Sequence, residues 1–118
     1  MTNKPNLLDQ IHGEQLSSVE FVQDYFQLRF DGPTINVYNP TSVKSGDRCV
    51  MSGDDQFRNM LCEQITKIVK NVEIVEKDAL TIDFKDDSQI KMSLKDEDYR
   101  GPEAAYCHGF KSNGFIVL

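Results

Sequence analysis

The sequence predicts an α+β fold in which an αβββ unit occurs twice, with one or more antiparallel sheets packed against one or two helices. Three observations predict it. Blocks of similar sequence recur about 54 residues apart, apolar and polar residues alternate within them, and Asn113-Gly114 provides a turn for a C-terminal hairpin. The internal repeat covers about residues 7–38 and 61–94, and residues 1–118 form a single domain, a size that can bury its own core.

The repeat consists of four pairs of blocks that follow one another in the same order. The pairs are residues 7–11 with 61–65, 16–22 with 69–75, 26–30 with 80–84, and 35–37 with 90–92. In the third pair, Phe26, Leu28 and Phe30 alternate with polar residues, which is typical of a half-buried strand. Each copy therefore reads as a short helix followed by three strands.

The second helix shows the clearer helical pattern. Residues 52–55 offer N-cap candidates, and apolar residues then recur at helical spacing up to Ile68. The first helix, over about residues 6–13, is shorter and can end at Gly13. Residues 39–53 are predicted to be a loop between the copies, and residues 104–110 and 115–118 are predicted to form the terminal hairpin.

The composition of the sequence limits the kinds of partner, cellular location and cysteine chemistry that are expected. The net charge of −6 is spread evenly over both halves, which disfavours binding to nucleic acid. Such a charge would attract a basic partner, but on charge alone the favoured interpretation is that it only keeps the protein soluble. The sequence contains no apolar run long enough for a membrane span and no signal-peptide pattern, so a cytoplasmic protein is expected. Three cysteines without C-x-x-C spacing predict reduced thiols, not a disulfide framework or a zinc site.

No motif in the sequence predicts catalysis. Phosphate-binding glycine loops and the G-x-S-x-G elbow are absent, and two distant histidines are a poor basis for a metal site. Cys107 and His108 are neighbours in a predicted strand, so their side chains should point to opposite faces. The prediction is a protein without enzymatic activity, metal or cofactor, although Cys49 or Cys107 with a histidine would be the place to look for a nucleophile.

Three blocks resemble a widespread group of small bacterial proteins without an assigned activity. They are residues 19–32 (VEFVQDYFQLRFDG), 57–62 (FRNMLC) and 97–104 (EDYRGPEA), and the similarity covers roughly residues 7–107. Small acidic domains of this type are similar to the immunity proteins of bacterial toxin–immunity systems, including contact-dependent growth inhibition. The resemblance implies no functional residue that could be carried over.

The leading hypothesis is an immunity protein that neutralises a toxin by occluding its basic substrate cleft. An acidic face would make the contact, and its charges would set the association rate and the choice of partner. The candidate partner-binding residues are Asp54, Asp55, Asp86, Asp87, Asp96, Glu97 and Asp98. Two alternatives stay open: a ligand-binding domain or enzyme with a site between the repeats, and a homo-oligomer that associates through an exposed strand or the terminal hairpin.

Overall fold

A computed structural model describes residues 7–118 and consists mainly of antiparallel β-sheet. In chain order, the strands are β1 (Ser18–Val22), β2 (Tyr25–Arg29), β3 (Thr34–Val37), β4 (Thr41–Ser45), β5 (Arg48–Met51), β6 (Val69–Val75), β7 (Ala79–Phe84), β8 (Gln89–Ser93), β9 (Ala105–His108) and β10 (Ile116–Val117). A single α-helix, α1 (Phe57–Cys62), and two 3₁₀ helices (Leu7–Ile11 and Asp96–Asp98) complete the elements of the described residues. Within residues 7–118, no helix is long and apolar enough to cross a membrane.

The strands form two five-stranded sheets. Sheet one has the order β1-β2-β3-β9-β10, and sheet two has the order β5-β4-β8-β7-β6. All pairs are antiparallel, as the alternating sequence pattern predicts. The α+β character is thus confirmed in a form dominated by sheet.

Both sheets bury one face in a common core. In β2 the side chains of Phe26 and Leu28 are buried, and in β7 those of Leu80 and Ile82 are buried, while the residues between them are partly exposed. These side chains belong to one hydrophobic cluster that also contains residues of α1 and of the first 3₁₀ helix. One core therefore holds both sheets together.

The prediction of a loop over residues 39–53 is wrong. This segment contains the hairpin β4–β5, which turns at Gly46 with a φ of 62°. Only Val43 and Thr41 are fully buried in β4, and β5 is mostly exposed, so the apolar alternation is too weak to show in the sequence. Strand β4 is set by pairing with β8, where Val43 lies opposite Ile90, and β5 pairs in turn with β4.

The second helix is predicted to continue to about Ile68, which is longer than the observed α1. It ends at Cys62, because residues 63–66 form a turn that brings Thr66 to a φ of 84° and its N–H to the carbonyl of Leu16. Ile68, predicted as helical, instead makes a β-bridge with Gln15. The predicted N-cap residues do not cap α1 either, since its N-cap is Gln56 without a side-chain hydrogen bond.

The first predicted helix is a 3₁₀ helix over Leu7–Ile11, and residue 6 lies outside the described residues. Gly13 follows it with a φ of 84°, the left-handed conformation that suits a helix end. The terminal hairpin is formed by β9 and β10, and the Asn113-Gly114 signal lies in the segment that connects them.

The β4–β5 and β9–β10 hairpins each belong to a different sheet from the strand that precedes them in the chain. Strand β4 follows β3 of sheet one but pairs with β8 of sheet two, and β9 follows β8 of sheet two but pairs with β3 of sheet one. Each sheet is therefore a three-stranded meander from one half of the chain, completed by a hairpin from the other half.

Candidate functional site

A groove opens where the β1–β2 turn, α1 and residues 100–103 meet. It consists of two adjoining cavities of about 270 Å³ and 200 Å³, which share Asp24 and Arg100 in their walls. Tyr25 and Phe21 line it from the first strand pair, Arg58 from α1, and Glu103 from the segment before β9. The groove therefore combines polar and aromatic side chains in one concave surface, as ligand sites commonly do.

The three blocks on which the family resemblance depends all supply walls of this groove. Residues 19–32 contain most of β1, the β1–β2 turn and β2. Residues 57–62 form α1, and residues 97–104 contain the end of the second 3₁₀ helix and the segment that follows it. Contact between the Phe26 and Phe57 rings, with centroids 5.8 Å apart, holds the turn against α1. Segments far apart in sequence are thus brought to one place by tertiary packing.

Two arginines in the groove have no carboxylate partner among the described residues. The Arg58 guanidinium lies over the ring of Phe21, with its carbon 5.1 Å from the ring centroid. Arg100 donates from Nη2 to the backbone oxygen of Tyr38 at 2.6 Å. By contrast, Arg29 and Arg48 form ion pairs with glutamates at 2.8 Å and 2.9 Å. Most N–H donors of the groove arginines therefore have no hydrogen-bond acceptor among the described residues.

Aromatic rings extend the groove onto the outer face of sheet one. The ring of Tyr25, at the start of β2, contacts the ring of Tyr38, directly after β3, with centroids 5.2 Å apart and ring planes 49° to each other. Both side chains are half-buried and line the cavities. Tyrosine and arginine side chains in a partly open site are the residues that most often dominate binding energy in protein interfaces.

Five of the seven predicted acidic residues lie close in sequence to groove residues, although none of them lines either cavity. Asp54 and Asp55 follow the groove residue Gly53, and residues 96–98 precede Arg100, at the end of sheet two where β8 ends. Their carboxylates make no ion pair within residues 7–118: Asp54 accepts a hydrogen bond from the Met51 N–H and Asp98 accepts one from the Ser93 hydroxyl. No lysine or arginine of the described residues therefore lies within ion-pair distance of these five carboxylates.

The other two predicted residues, Asp86 and Asp87, lie at the opposite end of sheet two, in the β7–β8 turn. Asp86 pairs with Lys67 at 2.8 Å and Asp87 pairs with Lys70 at 2.5 Å. Hydrogen bonds from Lys67 and Ser88 hold the pKa of the Asp86 carboxyl well below its usual range. The seven residues thus do not form one face, and the two that lie apart are already neutralised.

The alternative nucleophile residues lie away from the groove. Neither cavity is lined by a cysteine or a histidine. Cys107 is buried in the core, which raises the pKa of its thiol to about 12, while His108 points to the other face and stacks on Tyr106 with ring centroids 5.1 Å apart. Among residues 7–118, no cluster of three His, Cys, Asp or Glu side chains could hold a metal ion.

The groove residues Asp24, Arg58 and Arg100 are not among the site residues predicted from the sequence. The signal that could have found them was the resemblance itself, because the specific strings of the first and third blocks contain Asp24 and flank Arg100. Comparisons of the chain with protein-family models, with curated proteins and with solved structures gave no match.

Proposed function

We propose that this chain is a non-enzymatic binding protein that occludes the working surface of a protein partner, and that the groove with its acidic border makes the contact. The observation that carries the proposal is the convergence of three separate sequence blocks on one groove with unpaired arginines. On the family resemblance, the partner is a bacterial toxin domain and the chain is its immunity protein.

The composition of the groove supports a protein partner. Arg58, Arg100, Tyr25 and Tyr38 offer stacking surfaces and free N–H donors within one concave site. Side chains of these types, when they become desolvated at the centre of an interface, account for most of its affinity. We assign the affinity of the complex to these residues.

The charges at the border support a partner with a basic surface. Residues 54, 55 and 96–98 place five carboxylates in chain segments that adjoin groove residues, and none of them pairs with a cation of residues 7–118. A partner that uses a basic cleft to bind its own substrate would be attracted to this border and blocked by it. Electrostatic steering would set the association rate.

The first experiment is capture of partners by the tagged protein from its native bacterium, with the co-purifying chains identified by mass spectrometry. We expect one stoichiometric, basic partner whose toxicity on expression is suppressed by co-expression of this chain. Association of the purified pair should then be slowed roughly tenfold at low salt by Asp55→Lys combined with Glu97→Lys, with a flatter salt dependence. These two carboxylates make no hydrogen bond to other described side chains, so the fold should tolerate the change.

A charge-matched control separates steering from net charge. Glu73→Lys combined with Glu76→Lys makes the same change of formal charge on exposed residues at the edge of sheet two. The proposal predicts a much smaller effect on the association rate for this control. Equal slowing by both pairs, or a captured partner that binds Arg58→Ala/Arg100→Ala as tightly as the unaltered chain, would contradict the proposed surface.

We also infer that the fold arose by internal duplication. The two sheets have corresponding registers: Ile35 lies opposite Cys107 in sheet one, and the equivalent Ile90 lies opposite Val43 in sheet two. The bridge between Gln15 and Ile68 joins two residues that occupy equivalent places in the sequence repeat. A contact between equivalent residues is expected on a two-fold axis that relates the halves.

A further inference from the structure

The edge of sheet one at β10 differs from the other three sheet edges. Strand β1 carries Glu20, β5 carries Arg48, and β6 carries Lys70 and Glu73. Ile116–Val117, which forms β10, carries no charged side chain. Charged residues on edge strands deter pairing with other chains, so the β10 edge lacks a protection that the other three have.

Apolar side chains are also exposed at this edge. Phe115 is 62% exposed and Val117 is 48% exposed, which places both among the most exposed large apolar residues of the described chain. The Phe115 ring contacts the ring of Tyr106, with centroids 5.8 Å apart, and Val117 lies opposite Tyr106 in the β9–β10 pairing. These three side chains form an uncharged apolar patch, the hairpin patch, on the outer face of sheet one.

The backbone at the edge is oriented for further pairing. Leu118 donates its N–H to the carbonyl of Ala105 at 2.9 Å, so residue 118 directs its hydrogen-bonding groups toward β9. Because successive residues of a strand direct these groups to alternate sides, Val117 and Phe115 direct theirs away from β9. In the described part of the chain, no strand pairs with that side of β10.

We propose that a second copy of this chain pairs with β10 in an antiparallel arrangement centred on Ile116. Such pairing of an edge with itself is isologous, so each chain supplies the same surface and the contact closes as a dimer. It places Phe115 opposite Val117 of the partner subunit and joins the two hairpin patches. The side chains of residues 115–117 carry no formal charge, so two chains that each have a net charge of −6 meet there without like-charged side chains in opposition.

The proposal is independent of the binding function. Neither Phe115, Ile116 nor Val117 lines the groove, so the loss of self-association and the loss of partner binding can be observed separately. Only a short edge and the hairpin patch are covered, so the dimer should be weak and depend on protein concentration.

Sedimentation equilibrium tests the proposal. From about 1 µM to about 1 mM protein, the weight-average mass should rise from 13.5 kDa toward twice that value. Val117→Lys should hold the mass near 13.5 kDa over the same range. The matched control is Val75→Lys, since Val75 is 45% exposed at the end of the edge strand β6, and it should associate like the unaltered chain.

A charge exchange tests the register. Phe115→Lys and Val117→Glu should each remain monomeric alone, because each places a charge opposite an apolar residue of its own copy. Mixed in equal amounts they should form a heterodimer, since one of the two equivalent positions then pairs opposite charges. Near-ultraviolet circular dichroism confirms that each variant is folded. The proposal is overturned by a mass that does not change with concentration, by equal effects of Val117→Lys and Val75→Lys, or by a mixture that stays monomeric.

Discussion

At the scale of single residues, Gly109 shows how close the backbones come where β9 meets the β2–β3 turn. Gly109 has a φ of 81°, and a Cβ atom on it would overlap the carbonyl oxygen of Gly32. Gly46, in the β4–β5 turn, has a similar φ of 62° but has nothing within 4 Å of an added Cβ. A comparison of alanine substitutions at these two glycines therefore distinguishes the free-energy cost of a left-handed backbone from the cost of a steric clash.

Gly109→Ala is expected to destabilise the protein more than Gly46→Ala does. A left-handed alanine costs about 1 kcal/mol at either place. At Gly109 the backbone of the β2–β3 turn must also move, which adds roughly 1–3 kcal/mol. Urea denaturation measures both free energies of unfolding, and equal losses for the two variants would mean that the contact with Gly32 is easily relieved.

The arginines differ from one another in whether they form ion pairs. All four arginines look alike in sequence, yet two are ion-paired on the surface and two are not. The difference depends on which side chains the fold places beside them, and these lie far away in the chain. Residue type alone could not identify Arg58 and Arg100 as candidates for binding.

At the scale of secondary structure, prediction succeeded where one strand carries its own pattern. The alternation of Phe26 and Leu28 with polar residues identifies β2 without reference to any neighbour. It failed for β4 and β5, because the strand character of β4 depends on pairing with β8 and that of β5 depends on pairing with β4. The groove could not be predicted for the same reason, because its walls come from segments that meet only after the sheets have formed.

At the end of α1, tertiary contacts prevail over the helical pattern of the local sequence. Ile65 and Ile68 lie at helical spacing from Leu61, but the chain leaves the helix so that Thr66 can donate its N–H to Leu16. A β-branched residue at a φ of 84° is strained. The turn is therefore held by contacts between the two halves of the chain and not by the preference of its own residues.

Thr66→Asn is expected to stabilise the protein by about 0.5–1 kcal/mol, because asparagine tolerates the left-handed conformation. The Thr66 side chain is exposed and makes no hydrogen bond with the described residues that the change would remove. Thr81→Asn is the control: in the extended strand β7 the same change should lower stability. Thermal unfolding of both variants checks the prediction, and a loss of stability at position 66 would show that the turn is not strained.

At the scale of the whole molecule, the shared core makes the two sheets one cooperative unit. Leu28 in sheet one and Ile82 in sheet two are fully buried in the same hydrophobic cluster. Neither sheet can keep its buried face covered if the other unfolds. The candidate groove, whose walls come from both halves of the chain, should therefore be lost in the same transition.

Leu28→Ala and Ile82→Ala are each expected to lower the free energy of unfolding by about 2–5 kcal/mol. Unfolding followed by circular dichroism and by tyrosine fluorescence should stay a single transition in both variants, at a lower denaturant concentration. Lys91→Ala, an exposed change on β8, should leave the midpoint nearly unaltered. Two separate transitions in either core variant would contradict a common core.

The exchange of hairpins between the sheets also governs when the protein can fold. While the chain is being synthesised, one side of β3 stays unpaired until β9 has been made, because Ile35 pairs with Cys107 near the far end of the sequence. The β4–β5 hairpin likewise cannot pair with the rest of its sheet until β8 has been made. Such long-range pairing slows folding, since distant segments must meet before any contact stabilises them. A ribosome-bound first half therefore has unpaired strands and an uncovered apolar face, and the native structure forms only after β9 has emerged.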